Sequence, residues 1–235
     1  MERAAAADRA GCVGLALIAC VGAWRWFCLG GTTGSGPAGP KLAEAAGTLD
    51  VRAEYQRVWS ERPVLLLGLG DSITAGYGST PGHSYFDRIV RNPPDEFEEM
   101  KGLCLSAVLP ALTFQNRAAS CTDSKQHADY QVDLLRNYPK ETFGIVVMSS
   151  GGNDLIHDYG RSAPKECAMY GATPEQAQPW IEAYEKRLGV MLDAITRRFT
   201  GGCRIFLMNI YDPTDGTGDL RGTGLPHWKD GLEIL

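Results

Sequence analysis

One serine stands where a buried strand would give way to a turn. Ser72 lies in the string Gly70-Asp71-Ser72, directly after the uncharged apolar run of residues 64–69. A serine hydroxyl is a weak nucleophile until a base and oxyanion donors surround it, and a strand end can hold it rigidly where loops from other strands meet. This position makes Ser72 the candidate nucleophile of an acyl-transfer site.

The strands that must position such a site, the one before Ser72 included, are visible as short apolar segments. They occupy residues 64–69, 112–115, 143–149 and 204–210, and helix-length stretches separate them. This alternation predicts βαβ units and a parallel sheet. Polar, turn-forming residues follow each segment, and ligands of open parallel sheets bind at the carboxyl edge. The pattern therefore predicts a site at that edge.

The clearest predicted helix begins after Thr173, with Pro174 at its first position and Gln176 completing a capping box, and runs to about Phe199. Prolines end two shorter predicted helices, and a further short helical segment leads into the first strand. A last helix begins near the end of the chain. The two helices that prolines end cover residues 84–91 and 129–137. The lead-in segment covers residues 41–59, and the last helix covers residues 230–235.

Two motifs at successive strand ends are similar to those of a known family. The string from Gly70 to Gly78 resembles the first motif block of the SGNH hydrolases, also called the GDSL esterase/lipase family, and Gly151-Gly152-Asn153 with the next aspartate resembles the third. Their order and separation also fit, and the resemblance covers roughly residues 62–232. It implies a three-layer α/β/α fold with a flavodoxin-like parallel sheet, whose C-terminal part is missing from this chain.

The resemblance implies roles for three residues. Ser72 attacks the ester carbonyl and its backbone N–H helps to hold the oxyanion, while the Asn153 side chain supplies a second donor. A third donor is the backbone N–H at the position of Cys121, where the family has glycine. A β-carbon at Cys121 is strained if that position needs a positive φ.

The general base is the part of the pattern that departs from the family. The family takes its histidine from an Asp-x-x-His motif close to the C-terminus, and this chain stops at Leu235 before any such block, so we expect a fold that is cut short. Asp154 and His157 spell the same motif, but they overlap the oxyanion block, which disfavours His157 as the base. We interpret the three other histidines as surface or structural groups; they are His83, His127 and His227.

The N-terminal residues differ in composition from the rest. Residues 1–29 contain an uncharged run of signal-peptide length, and they predict a signal peptide or a membrane anchor and hence an exported protein. A sequence similar to a bacterial lipobox precedes Cys20. Residues 30–40 form a linker rich in Gly and Pro, and residues 41–235 form the esterase domain.

Composition excludes several function classes. The chain has 23 Lys and Arg against 28 Asp and Glu, with no basic cluster interleaved with aromatics, so nucleic acid is not an expected partner. The sequence contains no Cys-x-x-Cys pair, so zinc is not expected. It also contains no phosphate loop and no dinucleotide fingerprint, so a nucleotide cofactor is not expected. The sequence does not choose among disulfide pairings of the four cysteines in the domain, Cys104, Cys121, Cys167 and Cys203.

Together these features predict a serine hydrolase that cleaves carboxylic esters through an acyl-enzyme on Ser72. Its substrate is a small ester of lipid or acetylated-carbohydrate type, and it needs no cofactor. The alternative is a catalytically silent protein that keeps the pocket, or an inactive fragment, because the base is not visible in the chain.

Overall fold

A four-stranded parallel sheet forms the centre of the molecule. The computed structural model describes residues 51–210 and 224–234. The sheet has the strand order β2-β1-β3-β4. Its strands are β1 (Val64–Gly70), β2 (Leu112–Asn116), β3 (Phe143–Ser149) and β4 (Cys203–Leu207). The α/β class and the parallel sheet expected from the sequence are therefore confirmed. The predicted signal peptide and linker lie outside the described residues.

Both faces of β1 are buried, because its apolar side chains alternate between two cores. Leu65, Leu67 and Leu69 join one core, and Val64 and Leu66 join the other. A central parallel strand covered on both faces is expected to be a continuous apolar run, as β1 is. Helical elements pack on each side and give three layers.

The helices are mostly short, apart from one of 25 residues along one face of the sheet. A π-helical segment, His127–Val132, continues α5, and an irregular turn, His157–Gly160, in which Asp158 and Tyr159 have positive φ, follows α6. None of the described helices is both long enough and apolar enough to cross a membrane. In chain order they are α1 (Val51–Glu54), α2 (Ser72–Ala75), α3 (Tyr85–Val90), α4 (Leu105–Val108), α5 (Ser124–Gln126), α6 (Gly152–Ile156), α7 (Pro174–Arg198) and α8 (Gly231–Ile234).

The long helix confirms the capping prediction. The Thr173 side chain accepts a hydrogen bond from the Gln176 backbone N–H, and the Gln176 side chain accepts one from the Thr173 N–H. Pro179 lies inside the first turns of α7 without ending it. Met191 and Ile195 of this helix are buried against β1 and β3.

Two predicted boundaries are wrong. A helix over 129–137 is replaced by α5 and the π-helical segment, which begin earlier because Asp123 and Gln126 form a capping box. The helical segment also ends early, at Val132, and the Tyr138 backbone N–H beyond it donates to the Arg198 carbonyl 2.8 Å away. The fourth strand begins at Cys203 and ends at Leu207, although its apolar run continues to residue 210.

Candidate active site

The turn that presents Ser72 depends on the glycine two residues before it. Gly70 ends β1 with a φ of +110°, and a β-carbon there would collide with the Ser149 carbonyl of β3. Asp71 then caps α2, accepting a hydrogen bond from the Ile73 N–H at 3.0 Å. Ser72 is consequently the first residue of a helix that starts at a strand end.

Ser72 is buried, with 9% of its surface exposed. Within residues 51–210 and 224–234, neither its hydroxyl nor its backbone N–H takes part in a hydrogen bond. The first N–H groups of a helix have no partner inside the helix. Neither group is thus committed to another partner in the described part of the chain.

The carboxylate of Asp71 is fixed by neutral donors beneath Ser72. The Ser149 hydroxyl donates to Asp71 Oδ1 at 2.7 Å, and the Ser149 Oγ lies 2.9 Å from the Thr74 Oγ1. The Thr74 Oγ1 lies 2.7 Å from the hydroxyl of Tyr85, whose pKa is raised by burial. This chain of hydroxyls ties α2 to the end of β3.

Asn153 comes from the loop after the neighbouring strand. Gly70 and Ser149 are paired in register, so the chain segments that follow β1 and β3 leave the sheet side by side. Gly151 adopts a φ of +98°, and Asn153 follows it in the first turn of α6. The Asn153 Nδ2 donates to the Thr122 carbonyl at 2.9 Å, which leaves its second amide hydrogen for another acceptor.

Cys121 lies in the loop after β2, which runs along β1. The Arg117 and Ala119 N–H groups donate to the Gly68 and Gly70 carbonyls, at 2.8 and 2.9 Å. Cys121 has a φ of +66°, in the left-handed region that costs a residue with a β-carbon roughly 1–2 kcal/mol. A glycine at this position would carry no such strain.

The Asp154–His157 pair does not form the contact that a catalytic dyad needs. The buried Asp154 carboxylate accepts hydrogen bonds from the Ser124 N–H, at 2.9 Å, and from the Ser124 hydroxyl. Arg187 Nη1 lies 3.8 Å from it. The His157 Nε2 instead lies 3.9 Å from the carboxylate of Asp158. Asp154 therefore anchors α5 and α7 and does not orient His157.

The other three histidines lie in different surroundings. His83 bonds Asp95 at 2.7 Å, and this hydrogen bond raises the pKa of His83 and lowers that of Asp95. His227 is exposed and His127 is fully buried. In the described part of the chain, no histidine forms a hydrogen bond to Ser72.

Polar residues that the sequence analysis did not connect to the site hold its loops together. His127 Nε2 lies 2.9 Å from the Thr122 hydroxyl, and Nδ1 lies 2.9 Å from the Ser150 hydroxyl. Gln131 accepts a hydrogen bond from the Gly70 N–H at 2.7 Å and donates to its carbonyl at 2.9 Å. The spacing of four residues between His127 and Gln131 is the one sequence signal that could have linked them.

Burial lowers the pKa of His127, although three nearby carboxylates act in the opposite direction. They belong to Asp71, Asp154 and Asp123. Burial also raises the pKa of the Cys167 thiol to about 12, with Asp154 and Asp123 adding to the effect. Cys167 is therefore a protonated thiol at neutral pH and a poor nucleophile.

A small cleft lies beside Ser72. Its volume is about 240 Å³, and Asp71, Ile73, Gly152 and Met208 are among the residues of its wall. Ser72 itself does not line it, although the residues on either side do. A mostly apolar groove of about 490 Å³ shares Met208 with the cleft and extends over β3 and β4. The two cavities therefore adjoin at one side chain.

No group of three or more His, Cys, Asp or Glu side chains within residues 51–210 and 224–234 could hold a metal ion. Comparison with protein-family models and with curated proteins finds no match to this chain. Its function must therefore be inferred from the site itself.

Proposed function

We propose that this protein is a serine esterase of the SGNH type, which transfers an acyl group to Ser72 and then to water. The observation that carries the proposal is that Ser72 and Asn153 follow the ends of two strands paired in register. From β1 the chain adds β2 on one side of the sheet and then β3 and β4 on the other. Open α/β sheets bind ligands at such a switch point, here between β1 and β3. The order 2-1-3-4 also agrees with the first four strands of a flavodoxin-like sheet.

In the proposed reaction, the Ser72 hydroxyl oxygen attacks the carbonyl carbon of the ester, and the hydroxyl proton passes to a general base. The Ser72 N–H and the second amide hydrogen of Asn153 donate to the oxyanion. Neither donor is used elsewhere among the described residues. Loss of one such donor typically lowers kcat about 10²–10³-fold. The tetrahedral intermediate then collapses, the bond to the alcohol oxygen breaks, and that oxygen takes the proton from the base and leaves as the alcohol. Water next attacks the acyl-enzyme, which releases the acid and regenerates the Ser72 hydroxyl.

The size of the cleft favours a short acyl group. Pockets for drug-sized ligands usually occupy about 300–1,000 Å³, and the cleft beside Ser72 has about 240 Å³. A longer chain would have to pass Met208 and enter the apolar groove. A series of aryl esters from acetate to octanoate distinguishes a short-chain esterase from a lipase.

The test is an assay of this chain on those esters, with the variants Ser72→Ala, Asn153→Ala and His157→Ala. We expect Ser72→Ala to abolish turnover and Asn153→Ala to lower kcat about 10²-fold or more. His157→Ala should leave turnover unchanged, and Ser79→Ala, which removes an exposed serine from the next turn, is the matched control. Activity that survives Ser72→Ala would exclude the proposed nucleophile.

A second candidate function is a catalytically silent pocket protein. The observation that favours it is that no described histidine bonds the Ser72 hydroxyl, since both nitrogens of the buried His127 are already occupied. Removing one member of a catalytic triad can cost about 10⁴–10⁶ in kcat. If phenyl acetate shifts the Asn153 side-chain amide signal in NMR spectra and is not hydrolysed, the binding function is supported instead.

We also propose that the protein is exported, on the composition of residues 1–29 alone. Fractionation of cells that express the full chain tests this. Recovery of the protein outside the cytoplasmic fraction is the expected result. Mass spectrometry of the recovered protein distinguishes a cleaved leader from a retained or lipidated one.

A further inference from the structure

A pair of buried side chains connects the three loops of the candidate site. His127 and Gln131 lie one turn apart in the π-helical segment, and both are buried. Gln131 binds both backbone polar groups of Gly70, two residues before Ser72. His127 binds Thr122 from the loop after β2 and Ser150 from the loop after β3.

The hydrogen bonds of Thr122 determine which nitrogen of His127 carries the proton. The Thr122 Oγ1 donates to the Ala119 carbonyl at 2.7 Å, and the Gly70 carbonyl lies 3.3 Å away as a second acceptor. A hydroxyl has one proton, so an oxygen that donates to a carbonyl can only accept from His127. His127 therefore carries its proton on Nε2, and the bare Nδ1 accepts from the Ser150 hydroxyl.

Thr122 transmits this constraint to the oxyanion donor. Its hydroxyl is held by His127, and its carbonyl accepts the hydrogen bond from Asn153 Nδ2 at 2.9 Å. Because one amide hydrogen of Asn153 is fixed on that carbonyl, the direction of the other is fixed as well. A shift of Thr122 would turn the second amide hydrogen away from the oxyanion.

We propose that His127, as the neutral Nε2–H tautomer, is a positioning residue that holds the Asn153 amide in its oxyanion-binding orientation through Thr122. Gln131 fixes the end of β1 in the same way and so sets the position of Ser72. Neither side chain touches the substrate. The role in catalysis rests on the proposed esterase function, whereas the tautomer and the orientation of Asn153 can be measured without any turnover.

The first test uses NMR spectra of the full chain labelled with ¹⁵N. Long-range ¹⁵N–¹H correlations of the His127 ring should show protonated Nε2 and bare Nδ1 at neutral pH. A proton on Nδ1 would overturn the proposal. The Asn153 side-chain amide signal, identified by its absence in Asn153→Ala, reports the orientation of the donor.

The variants separate positioning from general stability. His127→Gln keeps an N–H that can reach Thr122, and His127→Leu removes it at similar volume. We expect the Asn153 amide signal to move to the position of an exposed asparagine in His127→Leu and to stay near its wild-type position in His127→Gln. Thr122→Val, which tests the same link if His127→Leu fails to fold, should also move it. His83→Leu is the matched control.

Kinetics provide the second readout if the chain hydrolyses the aryl esters. His127→Leu should lower kcat about tenfold, the value of roughly one hydrogen bond, with KM unchanged, and His127→Gln should recover most of the loss. An unchanged Asn153 signal in a folded His127→Leu protein, or equal changes in the Leu and Gln variants, would contradict the proposal. An inactive wild type would count against the esterase function alone, because the NMR result stands without it.

Discussion

Two buried carboxylates support the candidate site, and they are held in different ways. Asp71 follows β1 and is 4% exposed, and Asp154 follows β3 and is 2% exposed. Hydroxyl and backbone N–H groups surround Asp71, whereas Asp154 also faces the cation of Arg187. A buried charge needs either several hydrogen bonds or an opposite charge. At this edge of the sheet, one carboxylate is therefore stabilised by hydrogen bonds alone within the described residues, and the other by hydrogen bonds and an opposite charge.

This difference has a structural consequence. Among the described residues, Asp71 bonds groups near its own strand end and β3, so it organises the turn that carries Ser72. Asp154 bonds Ser124 of α5 and lies near Arg187 of α7, so it joins helices that are remote in sequence. Disturbing Asp154 should therefore affect the whole fold, and disturbing Asp71 should affect the site more locally.

The largest expected effect comes from removing the cation beside Asp154. Arg187→Met leaves the buried Asp154 and the nearby Glu166 without their guanidinium partner, and the Arg187 side chain is only 15% exposed. We expect a loss of about 3–5 kcal/mol in the free energy of unfolding, the usual cost of breaking a buried ion pair. Urea denaturation measures it.

The control for this variant is Lys125→Met. Lys125 also lies near Glu166, at 3.7 Å, but its side chain is 54% exposed. Exposed pairs usually contribute about 0–1 kcal/mol. If the two variants lose the same stability, Arg187 does not compensate a buried charge. The proposed difference between Asp71 and Asp154 would then be wrong.

A smaller effect is expected at the hydroxyl that serves Asp71. Ser149→Ala removes the donor to the Asp71 carboxylate and a neighbour of the Thr74 hydroxyl. Leaving a buried polar group unsatisfied costs about 1–3 kcal/mol. Calorimetric unfolding should show this loss, and Ser79→Ala, on an exposed turn, should show almost none. A loss as large as that of Arg187→Met would mean that hydroxyls matter as much as the cation.

The pH dependence of stability tests the histidine that both carboxylates face. Burial lowers the pKa of His127 in the folded state. As the pH falls below about 6.5, the unfolded chain therefore binds a proton at this histidine, and the folded chain does not. The contribution of the neutral His127 to the free energy of unfolding is fully present above that pH. It is lost progressively as the pH falls from there to the folded-state pKa. The slope cannot exceed about 1.4 kcal/mol per pH unit for one proton.

The measurement compares wild type with His127→Gln, from pH 8 to pH 4, by urea denaturation. Other titrating groups contribute to both proteins, so the difference between the two curves isolates His127. We expect the wild type to lose more stability than the variant as the pH falls. Parallel curves would show that Asp71 and Asp154 offset the effect of burial.

The smallest expected effect concerns the backbone of the loop after β2, at Cys121. Cys121→Gly relieves the strain of a β-carbon at a φ of +66° and should raise the free energy of unfolding by about 0.5–1 kcal/mol. Thermal unfolding measures the gain. A loss of stability would mean that the thiol contributes more through its contacts than the strained backbone costs.

The strands show how far the sequence could be interpreted. β1 and β3 are long apolar runs in the chain, and both were predicted within one residue of their observed ends. The fourth strand was predicted over 204–210 and occupies Cys203–Leu207, because pairing with β3 ends where β3 turns toward Asn153. An apolar run predicts a strand, but only the neighbouring strand decides where it stops.

The site shows the same limit. The spelling Asp-x-x-His could be found at residues 154–157, but the sequence did not show that the Asp154 carboxylate bonds Ser124, 30 residues earlier. Nor did it show that the imidazole of His127 would meet Thr122 and Ser150. Such partners belong to different strand ends, and no periodicity of either segment encodes the contact.

By itself, the sequence determined the local features of this protein. The apolar run of β1 forms a strand that buries both faces, Thr173 starts a helix because its side chain caps it, and Gly70 ends β1 because only glycine tolerates that turn. The tertiary structure alone decided that the Asp154 carboxylate bonds Ser124, and that His127 joins the loops after β2 and β3. The physical reason is that hydrogen bonds between loops depend on sheet register, which is set by packing across the whole domain.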